Sequence, residues 1–293
     1  MKQMLFVLNP ISGQKKANRL LTEILSVFNR AGYDVHVHIT QSQSDCKNVV
    51  CQRAKTMDLV VCCGGDGTFN ETVAGVLESG TDVPIGYLPT GSTNDFAGSL
   101  HLPTDPVEAA KLVVAGTAQH YDVGSFGGRY FTYVASFGAF TRVSYATPQN
   151  VKNALGHTAY ILGGIQELSQ LRTLPVKLEM DAETVEDEFL FGAVCNSTSV
   201  GGILTLDPRQ VDMCDGKFEV LLVRAPRDLG EITQCIQAVQ RGEYNCSMIT
   251  FRSVEKLTVT MGEAVSWTLD GEYEPGKETV EISNIHHAFR LIK

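Results

Sequence analysis

The chain has 293 residues, of which 43% are hydrophobic and 19% charged. That is ample core-forming material, and it excludes a disordered or collagen-like chain. Cores tend to divide above roughly 250–300 residues, so two domains are expected. The net charge of −9 excludes a general nucleic-acid binder, whose footprint would be basic, and gives no help in docking on an anionic bilayer.

The 27 glycines fall in clusters, the pattern of loops that bring backbone close to a ligand. The eight cysteines, at 46, 51, 62, 63, 195, 214, 235 and 246, show neither CxxC spacing nor histidines at zinc-like intervals. They read as small buried hydrophobes in a reducing compartment. The first apolar run, Met4 to Leu8, is stopped by Asn9-Pro10. It predicts a buried strand, too short for a signal peptide. No stretch approaches the ~18 continuous apolar residues of a membrane span, so a cytoplasmic protein is expected.

In chain order, residues 4–8 predict a strand, and 17–31 a helix with apolar residues at helical spacing and Gly32 as its C-terminal cap. Residues 33–39 alternate as a strand, 44–56 fit a helix, and 59–63 form a fully apolar strand. A helix over about 70–78 and a strand over 85–88 follow, and Asp105-Pro106 opens one more helix. Alternating strands and helices imply a parallel sheet covered on both faces. Beyond residue 123 strand signals dominate: 130–137, 174–180, 188–195, 217–223, 247–252, 255–261, 265–269 and 278–282, with helices near 156–171 and 228–241. The fold class is therefore α/β, an N-terminal Rossmann-like three-layer domain followed by a C-terminal antiparallel β-sandwich domain. The expected boundaries are 1–122 plus a returning 286–293 for the first domain, and 123–285 for the second.

Chemistry concentrates in glycine- and aspartate-bearing turns. In residues 58–76, a buried strand runs into Gly64-Gly65-Asp66-Gly67-Thr68 and a helix starts at once. Backbone N–H groups and the helix N-terminus together make an anion cradle. It is neither the P-loop nor the dinucleotide fingerprint. Asp66 repels phosphate unless a cation or a hydroxyl lies between them. The turn Asn9-Pro10-Ile11-Ser12-Gly13, followed by Lys15 and Lys16, also leaves a strand end, as does Pro89-Thr90-Gly91-Ser92-Thr93-Asn94-Asp95-Phe96. Each alone is ordinary turn or N-cap chemistry. On neighbouring strand ends they would line one crevice, where open α/β sheets bind ligands.

Together GGDGTFNE, NPISG and GSTNDFA, with a later Asp-Gly loop and a late LDGE, resemble the diacylglycerol-kinase catalytic domain family of soluble lipid kinases. The resemblance covers essentially the whole chain; GGDGT alone is shared with NAD kinases and phosphofructokinases. It implies nucleotide contacts from Asn9, Pro10, Ser12 and Gly13, from Gly64, Gly65, Asp66, Gly67, Thr68, Asn70 and Glu71, and from Ser92, Asn94 and Asp95. Thr40, at the end of the second strand, matches a family position near the nucleotide and by itself suits a helix N-cap. The family's magnesium-linked loop corresponds to residues 196–220, with Asp212, Asp215 and the backbone carbonyl of Lys217 as the matching ligands; oxygens suit a hard cation. Asp215-Gly216 also suits a hairpin turn.

The last constellation is Leu269-Asp270-Gly271-Glu272. The resemblance implies Glu272 as proton acceptor, with Asp270 as the alternative and Asp66 as a third candidate. A bend at Gly271 is expected to send one carboxylate inward and one to solvent, with Glu272 the inward one and Asp270 supporting metal or loop geometry. The implied activity is ATP- and Mg²⁺-dependent phosphorylation of a lipid hydroxyl, with Asp66, Asp95 and Asp215 organising the metal. The expected partner is a lipid at a membrane surface, met transiently, with no nucleic acid; a homodimer is left open. Tyr130, Phe131, Tyr133, Phe137 and Phe140 suit either an acyl-chain wall or plain β core. A small-molecule kinase and a non-catalytic nucleotide-binding regulator stand as alternative readings.

Overall fold

The computed structural model describes residues 1–13, 16–138, 173–180, 183–200, 204–225, 229–244 and 246–293. Lys15, Phe140 and the helix expected near 156–171 lie outside the described residues. The chain forms two compact units, one of Met1–Val123, Met213–Gly216 and Ile285–Lys293, the other of Gly124–Asp212 and Lys217–Asn284.

In the first unit, strands β1 (Lys2–Leu8), β2 (Tyr33–Ile39), β3 (Leu59–Gly64) and β4 (Ile85–Pro89) alternate with helices α1 (Lys16–Arg30), α2 (Asp45–Arg53) and α3 (Asp66–Ser79). The parallel order is β2-β1-β3-β4, and the end of the last strand, β15 (Glu272–Ile292), adds beside β4. The apolar runs of β1, β3 and β4 are buried along almost their whole length, as parallel strands covered on both faces must be. On one face Met4, Phe6, Leu8, Leu59, Val61 and Cys63 pack with Ile24 and Phe28 of α1 and with Val107, Ala110 and Val113 of α5 (Pro106–Ala115). On the other, α2 and α3 pack together where Gly75 carries no Cβ; one there would lie 2.7 Å from the Lys47 carbonyl oxygen. Asp105 caps α5, its carboxylate accepting from the N–H groups of Val107 and Glu108.

Three differences from the expected elements matter. Helix α3 begins at Asp66 rather than near Asn70, so the glycine turn is its first turn, where an acidic residue is favoured. A strand β5 (Ala118–Phe126) was not legible, since it opens with three exposed residues and lacks an apolar run, whereas the turn at 89–96 opens into a short helix, α4 (Asp95–Ser99), with Asn94 at its N-cap as its pattern suggests. The runs at 255–261 and 265–269 are one strand, β14 (Lys256–Leu269), carrying register shifts at Thr260/Val265 and Val265/Trp267.

The second unit is antiparallel. Strand β6 (Arg129–Phe131) returns from β5, and β7 (Val134–Gly138) and β8 (Leu174–Met180) both lie between β9 (Thr184–Cys195) and β14, one after the other along their length. A small pair, β10 (Ser199–Val200) and β11 (Leu204–Thr205), precedes β12 (Phe218–Arg224), which pairs with β9 and with β13 (Ile249–Val254). Helix α6 (Leu229–Arg241) connects the last two. Trp267, 1% exposed, packs in this core with Phe126 edge-on and Phe137 tilted against it, ring centroids at 4.9 and 4.8 Å. Phe131 and Phe137 belong to this core, and Tyr133 is also buried, so three of the five aromatics considered for an acyl-chain wall are interior. No helix among the described residues is long and apolar enough to cross a membrane.

Candidate functional site

The strand order of the first unit puts a topological switch at β1, with β2 on one side and β3 on the other; ligands bind outside such strand ends. The turns after β1, β3 and β4 meet there. The Asn9 N–H donates to the Cys63 carbonyl at 2.9 Å, and the Thr90 N–H to the Gly64 carbonyl at 2.8 Å. Asn9 Nδ2 donates to Thr68 Oγ1 at 2.9 Å, and the Ser12 and Thr90 hydroxyls share a bond at 2.8 Å. Pro10 offers its carbonyl to Asn18 Nδ2, tying the first turn to α1.

Glycine is required where these turns touch. A Cβ on Gly91 would lie 2.5 Å from Gly65 Cα, and one on Gly13 would collide with the Thr90 carbonyl oxygen. Three turns therefore pack backbone to backbone, at the start of a 14-residue helix whose N-cap, Gly65, offers no side-chain cap. N–H groups of the first turn of α3 are thus left to something other than a capping side chain.

Several predicted site residues shape this cradle. Both Asp66 carboxylate oxygens accept backbone N–H groups at the start of α4, from Asp95 at 3.1 Å and Phe96 at 3.3 Å. Asp66 and Asp95 are thereby brought together. Asn94, left-handed at φ 54°, closes its own loop, accepting from the Gly91 N–H and donating to the Gly91 carbonyl. Glu71 caps α2, accepting from the N–H groups of Ser44 at 2.7 Å and Lys47 at 3.4 Å. Thr40 extends the β1–β2 ladder, its N–H donating to the Leu8 carbonyl. Ser92 is exposed on the third turn, and Asn70 is half-buried on α3. Beneath the helix starts lies an aromatic floor in which Phe69 stacks on Tyr87 at 4.4 Å and meets Phe96 at 4.6 Å.

Of the expected metal ligands, Asp215 lies in the short segment Met213–Gly216 that groups with the first unit, whereas Asp212 and Lys217 group with the second. The Lys217 carbonyl accepts from Asn284 Nδ2 at 3.0 Å. No strand leads into Asp215-Gly216, so it is not a hairpin turn. What holds the segment is Asp122, which sequence reasoning missed. Its fully buried carboxylate accepts from the Gly216 N–H at 2.7 Å, the His287 N–H at 2.8 Å and His286 Nδ1 at 3.1 Å, while its own N–H donates to the Met213 carbonyl. Residues this distant in sequence carry no local pattern to read. Among the described residues no three His, Cys, Asp or Glu side chains gather as a metal cage. Magnesium is ordinarily held by one or two carboxylates plus substrate phosphates, a mode that Asp66 with Asp95, or Asp215, fits chemically.

The LDGE turn corrects an expectation. Asp270, φ 49°, and Gly271, φ 82°, are the two central residues of a hairpin, with Leu269 opposite Glu272. Positive φ at both positions is the type I′ geometry, for which Asp-Gly is well suited. It is Asp270 that turns inward, 6% exposed, and Glu272 that faces out. The Asp270 carboxylate accepts from Thr132 N at 2.6 Å, Thr132 Oγ1 at 2.8 Å, Tyr133 N at 2.9 Å and Val134 N at 3.1 Å. Burial pushes this carboxyl above the usual carboxylate range, and the four donors pull the other way. Through these four hydrogen bonds Asp270 ties the hairpin to residues 132–134. Glu272 is held from outside by Arg129, whose guanidinium reaches it at 2.8 Å and Glu274 at 2.6 Å.

Residues 3–126 match the diacylglycerol kinase catalytic domain, and residues 134–292 match the YegS C-terminal NAD kinase beta sandwich-like domain. The class is thus a kinase with a catalytic α/β domain and a β sandwich-like domain. Diacylglycerol kinase of Bacillus subtilis (strain 168) is 33% identical, over 93% of this chain and 90% of its own length. That of Staphylococcus carnosus (strain TM300) is 30% identical, over 93% and 89%. A solved diacylglycerol kinase structure from Bacillus anthracis str. Sterne shares the fold at TM-score 0.75 and 22% identity, covering 99% of this chain and 96% of that one. The chain belongs to the diacylglycerol kinase family and is a lipid kinase, a phosphotransferase with an alcohol acceptor.

Proposed function

We propose that the chain transfers the γ-phosphoryl group of ATP, taken as its magnesium complex, to the free hydroxyl of diacylglycerol or a closely related lipid. The observation that carries this reading is the backbone-to-backbone meeting of the three glycine turns at Gly13, Gly65 and Gly91, beside the uncapped start of α3. Backbone N–H groups at a glycine turn and a helix N-terminus are suited to meeting phosphate oxygens. The names of the relatives support the choice of lipid.

In this mechanism the first unit binds the phosphates through the N–H groups of Gly65 to Thr68, with Ser12 and Ser92 as hydroxyl donors. Asn9 and Asn94 keep the turns in shape, and Thr40, Asn70 and Glu71 lie at the nucleotide. Asp66, Asp95 and Asp215 offer oxygens to Mg²⁺, which when bound offsets the charge of the phosphates. Glu272 is the proton acceptor. As the acceptor oxygen forms its bond to the γ-phosphorus, its proton passes to the Glu272 carboxylate; the bond to the bridging oxygen breaks and its electron pair leaves with ADP. Phosphoryl transfer asks mainly for positioning and charge neutralisation, the base adding about 10²–10⁴-fold. The lipid is met at a membrane surface, transiently. Incubation with [γ-³²P]ATP, Mg²⁺ and a mixed lipid extract is expected to label phosphatidate, identified chromatographically. Label in NAD or sugar phosphates, or in no lipid at all, would overturn the reading.

A further inference from the structure

We infer that Arg129 is a positioning residue for the transfer, presenting the Glu272 carboxylate to the acceptor; the inference rests on the assignment of Glu272 as proton acceptor above.

Two tight turns converge within the second unit. Phe126 and Arg129 pair across Gly127-Gly128, so Arg129 is the first residue of β6. Leu269 and Glu272 pair across Asp270-Gly271, so Glu272 is the first residue of β15. The segment that begins at Arg129 grips the second turn twice. From inside, the backbone and hydroxyl of Thr132 and the backbone of Tyr133 and Val134 hold Asp270. From outside, Arg129 Nη2 donates to Glu272 Oε2 at 2.8 Å, while Nη1 donates to Glu274 Oε2 at 2.6 Å and to the Tyr273 carbonyl at 3.3 Å.

The two carboxylates differ in a way that assigns their roles. The side chain of Glu274 is 14% exposed and that of Glu272 is 44% exposed, so Glu274 anchors the guanidinium and Glu272 is the arm left accessible. Residues two apart on a strand face the same side, which is why one planar fork reaches both. A half-exposed glutamate samples many rotamers; a fork anchored elsewhere restricts it to few. Proximity and orientation are the largest levers available to a group that takes up a proton, and a misplacement of about 1 Å can cost on the order of 10²-fold. A lysine keeps the charge but not the fork.

The test is steady-state kinetics of Arg129→Met, Arg129→Lys, Glu274→Gln and Glu272→Gln, with thermal unfolding of each. The inference expects Arg129→Met to lower kcat on the order of tenfold or more, with the KM for ATP and the unfolding temperature unchanged, and Arg129→Lys to recover part of the loss. An Arg129→Met enzyme within about threefold of wild type, alongside an inactive Glu272→Gln, overturns the role of Arg129 and leaves that of Glu272 standing. A fully active Glu272→Gln removes the base assignment itself. Should Arg129→Met fail to fold, Glu274→Gln removes only the anchor; wild-type kcat in that variant also overturns the inference.

Discussion

Replacing Asp270 by asparagine separates a staple from a base. The carboxylate accepts four hydrogen bonds, three of them from the backbone N–H groups of residues 132–134. Asparagine keeps one acceptor oxygen and turns an amide N–H₂ toward the donors of the other. Two bonds to a charged acceptor are lost, each worth ~1.5–3 kcal/mol. Burying a neutral amide instead of a charge returns part of this, in keeping with the upward push of burial on the carboxyl. A net loss of about 2–4 kcal/mol remains, a fall of roughly 3–7 °C in unfolding temperature for a chain of this size. Differential scanning calorimetry of Asp270→Asn, with ATP binding measured below the transition, reads this directly. Turnover falls as well, because the hairpin that carries Glu272 loosens, while ATP affinity is retained in the other unit. A variant that unfolds within about 0.5 kcal/mol of wild type yet shows no turnover would refute the staple and return the base role to Asp270.

Asp66→Asn should cost about 10²-fold or more in kcat with the fold intact, since it alters the only acid in the glycine turn; kcat within about threefold of wild type shows a misassignment. Asp215→Ala should raise the Mg²⁺ concentration needed for half-maximal rate; an unchanged titration would make Asp215 a residue of the Asp122-held turn only. Cys46 and Cys63, whose thiols burial pushes up to about 12, should resist a thiol reagent at pH 8 in the native protein, as should buried Cys62 and Cys195. The thiolate fraction rises with pH, so their reaction should begin only toward that value or on unfolding; rapid native labelling of Cys46 would contradict its burial.

The first unit was largely legible in the sequence because its signals are local. An apolar run such as Leu59–Cys63 can only be a buried strand here, and glycine is demanded where Gly65 and Gly91 nearly touch. What could not be read depends on distant partners. Asp122 looks like any aspartate in a polar stretch until Gly216 and His287 donate to it. The inward and outward assignments of Asp270 and Glu272 were exchanged for a related reason. A type I′ turn reverses the chain in two residues, and the three N–H groups of residues 132–134 waiting inside select the shorter carboxylate. Asp-Gly occurs at three places, and only the strands around it decide that 270–271 is a hairpin while 66–67 and 215–216 are not.

The most direct test of the central claim is a single-turnover reaction of the wild-type chain with limiting [γ-³²P]ATP, Mg²⁺ and micelles of 1,2-diacylglycerol, run beside the same lipid with its free hydroxyl blocked as a methyl ether. Label is expected to pass stoichiometrically into phosphatidate with the free hydroxyl, the blocked lipid to receive none, and Asp66→Asn to abolish transfer. Release of inorganic phosphate at equal rates with both lipids, or transfer undiminished in Asp66→Asn, would contradict it.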